Sequence, residues 1–170
     1  MSEQEAVNIR VLEDLPRDWT EDLLPAIQEE IARSTYKIVI LDDDPTGTQT
    51  AKNLPVLTHW SQEVLRDELL REYPAFFILT NSRSLTEPAA CKLAREIGTN
   101  LKRASDETGI RTVLISRSDS TLRGHFPAEV DAMAAVMGKS RLPYLVLPFF
   151  LEGGRYTLND VHYVQEGDHL

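Results

Sequence analysis

Four short apolar runs constrain this chain more than any other feature of its sequence. They are KIVIL (37–41), AFFIL (75–79), RTVLI (111–115) and YLVLP (144–148). Each has the length of a strand and is rich in β-branched, aromatic or leucine side chains. A strand that is apolar on both sides is one buried on both faces of a sheet. Between the runs lie longer stretches with helical spacing. Residues 61–72 start from Ser61 as an N-cap, residues 86–107 stop at Gly109, and Pro127 to Met137 stop at Gly138. Strands alternating with helices predict an α/β fold in a single domain: a mainly parallel sheet with helices on both faces, giving three layers. LPVLT (54–58) adds a further strand, which Pro55 sends to an edge. The tail GRYTLNDVHYV predicts a hairpin or an added edge strand that turns near Asn159-Asp160.

The chain has 170 residues and a net charge of −9. Most of that charge lies in residues 1–36, which hold nine acidic and three basic side chains. Residues 19–33 of this acidic arm have amphipathic spacing, with Trp19, Leu23, Ala26, Ile27 and Ile31 near one face of a helix. The remainder, 37–170, is nearly balanced and reads as the folded domain. No basic stripe with interleaved aromatics is present, so nucleic acid is not an expected partner. No apolar run reaches the ~18 residues of a membrane span, and the polar start does not resemble a secretory signal. The single cysteine, Cys91, excludes an internal disulfide. A cytoplasmic location fits this pattern.

The chemistry gathers in the loops that follow the four runs: DDDPTGTQT (42–50), TNSRSLTE (80–87), SRSDSTLRG (116–124) and FFLEGGR (149–155). In a parallel sheet these loops leave from one edge, at the carboxyl ends of the strands, where open α/β sheets bind ligands. Asp42, Asp43, Asp44, Thr46, Gly47, Asn81, Arg83, Arg117, Asp119, Ser120, Arg123, Gly154 and Arg155 should therefore converge. Arginine forks suit carboxylate or phosphate, and carboxylates accept hydrogen bonds from hydroxyls or serve as a base. Together they point to a small ligand that is both anionic and polyhydroxylated.

Other motifs are weaker. Gly138-Lys139-Ser140 lacks the earlier glycine of a phosphate-binding loop, since Met133 holds that place. The histidines lack zinc-ligand spacing, and no metal site is expected in this chain. Asp42 and Asp44 satisfy the start of the haloacid-dehalogenase-type phosphatase pattern, with ILTN (78–81) as its second part. The paired acidic motif that should complete its magnesium site is missing from SRSDST.

Taken in order, D-D-x-x-T-G, T-N-S-R-S, D-S-T-L-R-G, E-G-G-R-Y-T and V-H-Y-V resemble the N-terminal domain of the four-carbon acid sugar kinase family. The resemblance covers residues 37–170. It implies an ATP- and Mg2+-dependent two-domain kinase acting on a threonate- or erythronate-like acid. The N-terminal domain would hold the sugar acid and a C-terminal domain, absent from this chain, most of the nucleotide site. Asp42, Asp43 and Asp119 would be the catalytic carboxylates, without a choice of base among them. Thr46, Gly47, Asn81, Arg83, Arg117, Ser120, Arg123, Gly154 and Arg155 would bind substrate. This chain alone should then be inactive and hold no cofactor tightly, and homo-oligomerisation is left open. Two departures point to a subgroup with its own substrate. The first loop reads DDDPTGTQT where many members are closer to D-D-L-T-G-A, and Arg117 stands where many have lysine. The alternatives are a magnesium-dependent phosphatase using Asp42 and Asp44, or a sugar-acid-binding module without catalysis.

Overall fold

The computed structural model describes residues 6–17, 19–119, 121, 123–148 and 150–170. Its centre is a four-stranded parallel sheet in the order β2-β3-β1-β4. The strands are β1 (Tyr36–Asp42), β2 (Val56–Leu57), β3 (Ala75–Leu79) and β4 (Arg111–Arg117). Three of the four apolar runs are thus strands, and LPVLT, with its Pro55, supplies the edge strand β2. The helices are α1 (Leu24–Arg33), α2 (Gln62–Leu69), α3 (Glu87–Thr108) and α4 (Ala128–Val136). The chain is α/β, a parallel sheet flanked by helices with a small separate hairpin.

Strand alternation divides the core. Val39, Phe76 and Ile78 face α2, α3 and α4, where they bury against Leu65, Leu69, Ile97, Leu101, Ala132 and Met133. At Gly98 a Cβ would run into Met133 and Val136, so α3 and α4 approach closely there. Ile40, Ala75 and Phe77 face the other way and pack with Ile38, Ala51 and Leu54. Register sets Val113 beside Ile38 and Ile115 beside Ile40. These two lie on the same side of the sheet yet remain exposed.

Local signals explain the helix ends. Ser61 accepts a hydrogen bond from the Val64 amide at the start of α2. Gly109 caps α3 with φ of 72°, a left-handed conformation that costs glycine nothing. Lys37, the charged start of the first apolar run, is buried and donates to the backbone oxygens of Arg71 and Tyr73. Burial pulls its pKa down.

Two expectations need correction. The arm helix starts at Leu24 rather than near Trp19, because Pro25 lacks an amide hydrogen and fits only the first turn. Its apolar residues Leu23, Leu24, Ile27 and Ile31 are exposed. The run YLVLP is not a strand: residues 143–148 have neither helix nor ladder. An apolar run signals burial but does not supply the neighbouring strand that pairing requires. The tail does form a hairpin, β5 (Arg155–Leu158) with β6 (Val161–Val164). Asn159 and Asp160 both take positive φ at its turn, as a tight two-residue hairpin loop needs.

Candidate functional site

The three loops after β1, β3 and β4 meet at the carboxyl edge of the sheet. Asp42 ends β1 and lies opposite Arg117, the last residue of β4, in the parallel register. Arg117 Nη1 donates to Asp42 Oδ1 at 3.2 Å. Asp42 has no exposed surface, and its Oδ2 is buried without a hydrogen-bond partner. Burial raises its pKa, against the opposing pull of Arg117. Gly47 lies over this pair: a Cβ there would collide with Arg117 Nη1 and both Asp42 oxygens.

Asp43, one residue on, turns to a different partner. Arg83 grips it in a fork, Nη2 to Oδ1 at 2.7 Å and Nε to Oδ2 at 3.2 Å. Ser118 Oγ donates to the same carboxylate at 2.9 Å. Asp43 therefore joins all three loops. Arg83 sits on the short turn Ser82–Ser84, which Asn81 enters with φ of 51°. Asparagine tolerates that left-handed backbone better than most residues. The turn is fixed by the Arg83 amide donating to the Asp43 oxygen and the Thr80 amide donating to the Asp42 oxygen. Arg83 Nη1 also reaches Asp44 Oδ2 at 3.3 Å and Asp119 Oδ1 at 3.6 Å.

Asp119 is held from its own loop. Arg123 donates to it twice, Nε to Oδ2 at 2.6 Å and Nη2 to Oδ1 at 2.9 Å. The Thr121 hydroxyl and the amides of Thr121 and Arg123 add to Oδ2. The Arg123 fork, first among these, holds the Asp119 carboxyl far below the usual range. Thr46 donates to Asp44 through its hydroxyl and its amide, which lowers the Asp44 pKa.

The pH consequence follows by linkage. A carboxylate with a depressed folded pKa stabilises above its unfolded value of ~3.9, and that contribution is lost as pH falls through the folded value. Asp119 belongs to this class. Asp42 runs the other way: the folded state takes up its proton before the unfolded chain does. Urea midpoints of the parent should therefore fall on acidification below about pH 4, and fall less steeply in Asp119→Asn. Parallel slopes for the two proteins would show that Asp119 is not the group responsible.

Asp42, Asp43, Asp44, Thr46, Gly47, Asn81, Arg83, Arg117, Asp119 and Arg123 thus gather in one place. Ser120 lies outside the described residues. Gly154 and Arg155 do not join the cluster by any hydrogen bond or ion pair among the described residues. Arg155 Nη1 instead donates to the Gly153 oxygen, and its Nε is buried without a partner. The cause is the unpaired run before it, which leaves the fourth loop unanchored to the sheet edge. Sequence reasoning missed Ser118 and Gly124. A Cβ at Gly124 would collide with Ser118 Oγ, so the glycine lets this loop close on Asp43. Both lie inside SRSDSTLRG, and that loop was their only signal. The apolar groove lined by Leu23, Ala26, Ile27, Ile31 and Tyr36 is at the opposite end of β1 from Asp42 and has no part in this cluster.

Comparison with known proteins bears on this geometry. Residues 38–170, most of the chain, match a family model described as a sugar-binding N-terminal domain. The chain belongs to that domain family, of the four-carbon acid sugar kinases. A D-threonate kinase from Bordetella bronchiseptica is 30% identical over 135 residues, covering 75% of this chain and 32% of that protein. The domain therefore spans about a third of the length of that relative. No solved structure matches it. The matched region holds the whole Asp–Arg cluster. Among the described residues, no helix is long and apolar enough to cross a membrane.

Proposed function

We propose that this domain holds the sugar acid in an ATP-dependent kinase that phosphorylates a four-carbon, threonate-like acid. One observation carries the reading: three arginines, each paired with an aspartate from a strand-end loop, meet at the carboxyl edge of a parallel sheet in a chain related to a D-threonate kinase. Arg117 and Arg123 keep much of their surface exposed, so their remaining donors can take a ligand carboxylate. Thr46 and Asn81 lie on the same loops, Ser120 follows Asp119 in sequence, and Asp44 offers a partly exposed carboxylate to a hydroxyl. Gly154 and Arg155 complete the substrate set if the fourth loop comes to the edge.

Of the three candidate catalytic carboxylates, Asp42 best suits a proton acceptor, since burial favours its protonated form. Reaching a ligand hydroxyl requires the Gly47–Thr50 turn above it to lift. Asp43 and Asp119 hold Arg83 and Arg123 in place. The phosphatase reading gains nothing from this geometry: Asp42 is covered and ion-paired, and Asp44 accepts from Thr46. The cluster does not suit a magnesium ion either. Asp43 and Asp119 each give both oxygens to a guanidinium group. Among the described residues, no three His, Cys, Asp or Glu side chains are arranged around a common metal position. Nucleotide and Mg2+ are left to a C-terminal nucleotide-binding domain. Residues 37–170 are the sugar-acid unit in this reading, residues 1–36 an added arm, and the location cytoplasmic.

The test is a thermal-shift titration with paired ligands. D-threonate should raise the melting temperature more than the matching neutral tetritol does. The shift should be small, because stabilisation by a ligand grows only with the logarithm of its concentration. Equal responses to acid and polyol would mean that the arginines serve internal ion pairs alone.

A further inference from the structure

The second and third loops of the cluster leave strands that are not neighbours. β1 lies between β3 and β4, so no ladder joins the two strands. Asp43 bridges their loops indirectly, through Arg83 on one side and Ser118 on the other. Arg83 Nη1 approaches Asp119 Oδ1 at 3.6 Å, an ion pair longer than a hydrogen bond.

Among the described residues, one hydrogen bond runs directly from the third loop to the second. His125, which follows the third loop, has its Nε2 3.0 Å from the Leu85 oxygen. A carbonyl oxygen only accepts, so Nε2 carries the hydrogen and donates. Both ends of this bond are anchored. Leu85 closes the turn that carries Arg83, its amide donating to the Ser82 oxygen at 2.9 Å. Thr86 then opens α3, its oxygen accepting from the Ala90 amide at 2.9 Å. On the other side the His125 oxygen accepts from the Glu129 amide of α4 at 3.1 Å. The two helices that follow these loops meet closely at Gly98. The imidazole is half-buried, and among the described residues it forms no hydrogen bond or ion pair with the aspartates and arginines of the cluster.

We infer that His125 is a positioning residue. From outside the cluster it fixes the Arg83 turn against the loop of Asp119 and Arg123, and so sets the spacing of two guanidinium groups. Each guanidinium is a planar, directional fork, so a slip between the loops turns one fork away from an anion that the other still holds. This consequence for a ligand rests on the sugar-acid reading of the site; the tie between the loops does not.

Hydrogen exchange on the chain, with calorimetry reporting D-threonate binding in parallel, tests the tie in three variants. His125→Phe keeps a ring without a donor. His125→Gln can place an amide N–H near the reach of Nε2, and His125→Asn only near that of Nδ1. Exchange of the Arg83, Ser84 and Leu85 amides should rise about fivefold in His125→Phe and His125→Asn, the scale of one net hydrogen bond, while α3 amides keep their parental rates. D-threonate binding should weaken by a similar factor in these two variants, and His125→Gln should restore both readouts. Parental exchange at residues 83–85 in His125→Phe overturns the inference. So does exchange in His125→Gln as fast as in His125→Phe, or a rise that α3 shares equally. Parental D-threonate affinity in a His125→Phe protein whose turn has loosened overturns the role in ligand binding. A parent that does not bind D-threonate removes the sugar-acid reading, and the exchange rates alone then decide whether His125 ties the loops.

Discussion

Arg83→Ala is expected to lower the unfolding free energy by about 3 kcal/mol, the usual result of stripping one partner from a buried ion pair. Asp43 is 4% exposed and, among the described residues, its carboxylate would keep only the Ser118 hydroxyl. The loss should exceed that from Arg123→Ala, because Arg123 is far more exposed and Asp119 keeps its Thr121 and backbone donors. Asp43→Asn in the Arg83→Ala background should recover part of the loss by removing the uncompensated charge. Urea denaturation of the three variants decides the matter. Equal, small losses for Arg83→Ala and Arg123→Ala would show that Asp43 is not the joint holding the three loops.

Gly47→Ala should abolish measurable D-threonate binding while leaving the helical core intact. The added methyl has no room, since it would overlap Arg117 Nη1 and both oxygens of Asp42. Asp42 has a short, fully buried side chain and cannot swing away, so the Arg117 pair or the Gly47–Thr50 turn must yield. Overpacking of this kind typically costs about 1–3 kcal/mol. Calorimetry on a variant with unchanged far-ultraviolet circular dichroism separates the local effect from unfolding. An alanine variant that binds like the parent would place the ligand away from the Asp42–Arg117 pair.

The sheet was readable because its central strands, β1 and β3, are buried on both faces, which writes KIVIL and AFFIL as continuous apolar runs. RTVLI carries the same pattern in β4 at the end of the sheet, where Val113 and Ile115 remain exposed. YLVLP carries the same pattern without a ladder, since composition records a preference for burial and not the presence of a neighbour. The caps were equally readable at Ser61 and Gly109, where a single side chain, or its absence, satisfies the helix end. Convergence of the first three loops followed from parallel topology alone. The pairing inside them did not. That Arg117 meets Asp42 depends on β1–β4 register, and that Arg83 meets Asp43 depends on a left-handed Asn81. Neither is written in residue spacing. Lys37 gave no warning of its burial, because the carbonyls of Arg71 and Tyr73 that receive it belong to a distant turn.

Each arginine of the cluster already has a counterion of its own. An anion arriving there does not find bare positive charge; it shares each guanidinium group with a tethered carboxylate. Chloride or sulfate could take a free guanidinium donor but has no proton to offer that carboxylate, so the aspartate would be left facing a second negative group. A hydroxy acid supplies both partners, a carboxylate for the guanidinium and hydroxyl protons for the neighbouring aspartate. Matched pairs of this kind would discriminate by stoichiometry of donors and acceptors rather than by attraction alone, which would let a domain of net negative charge select one class of anion against the salts around it.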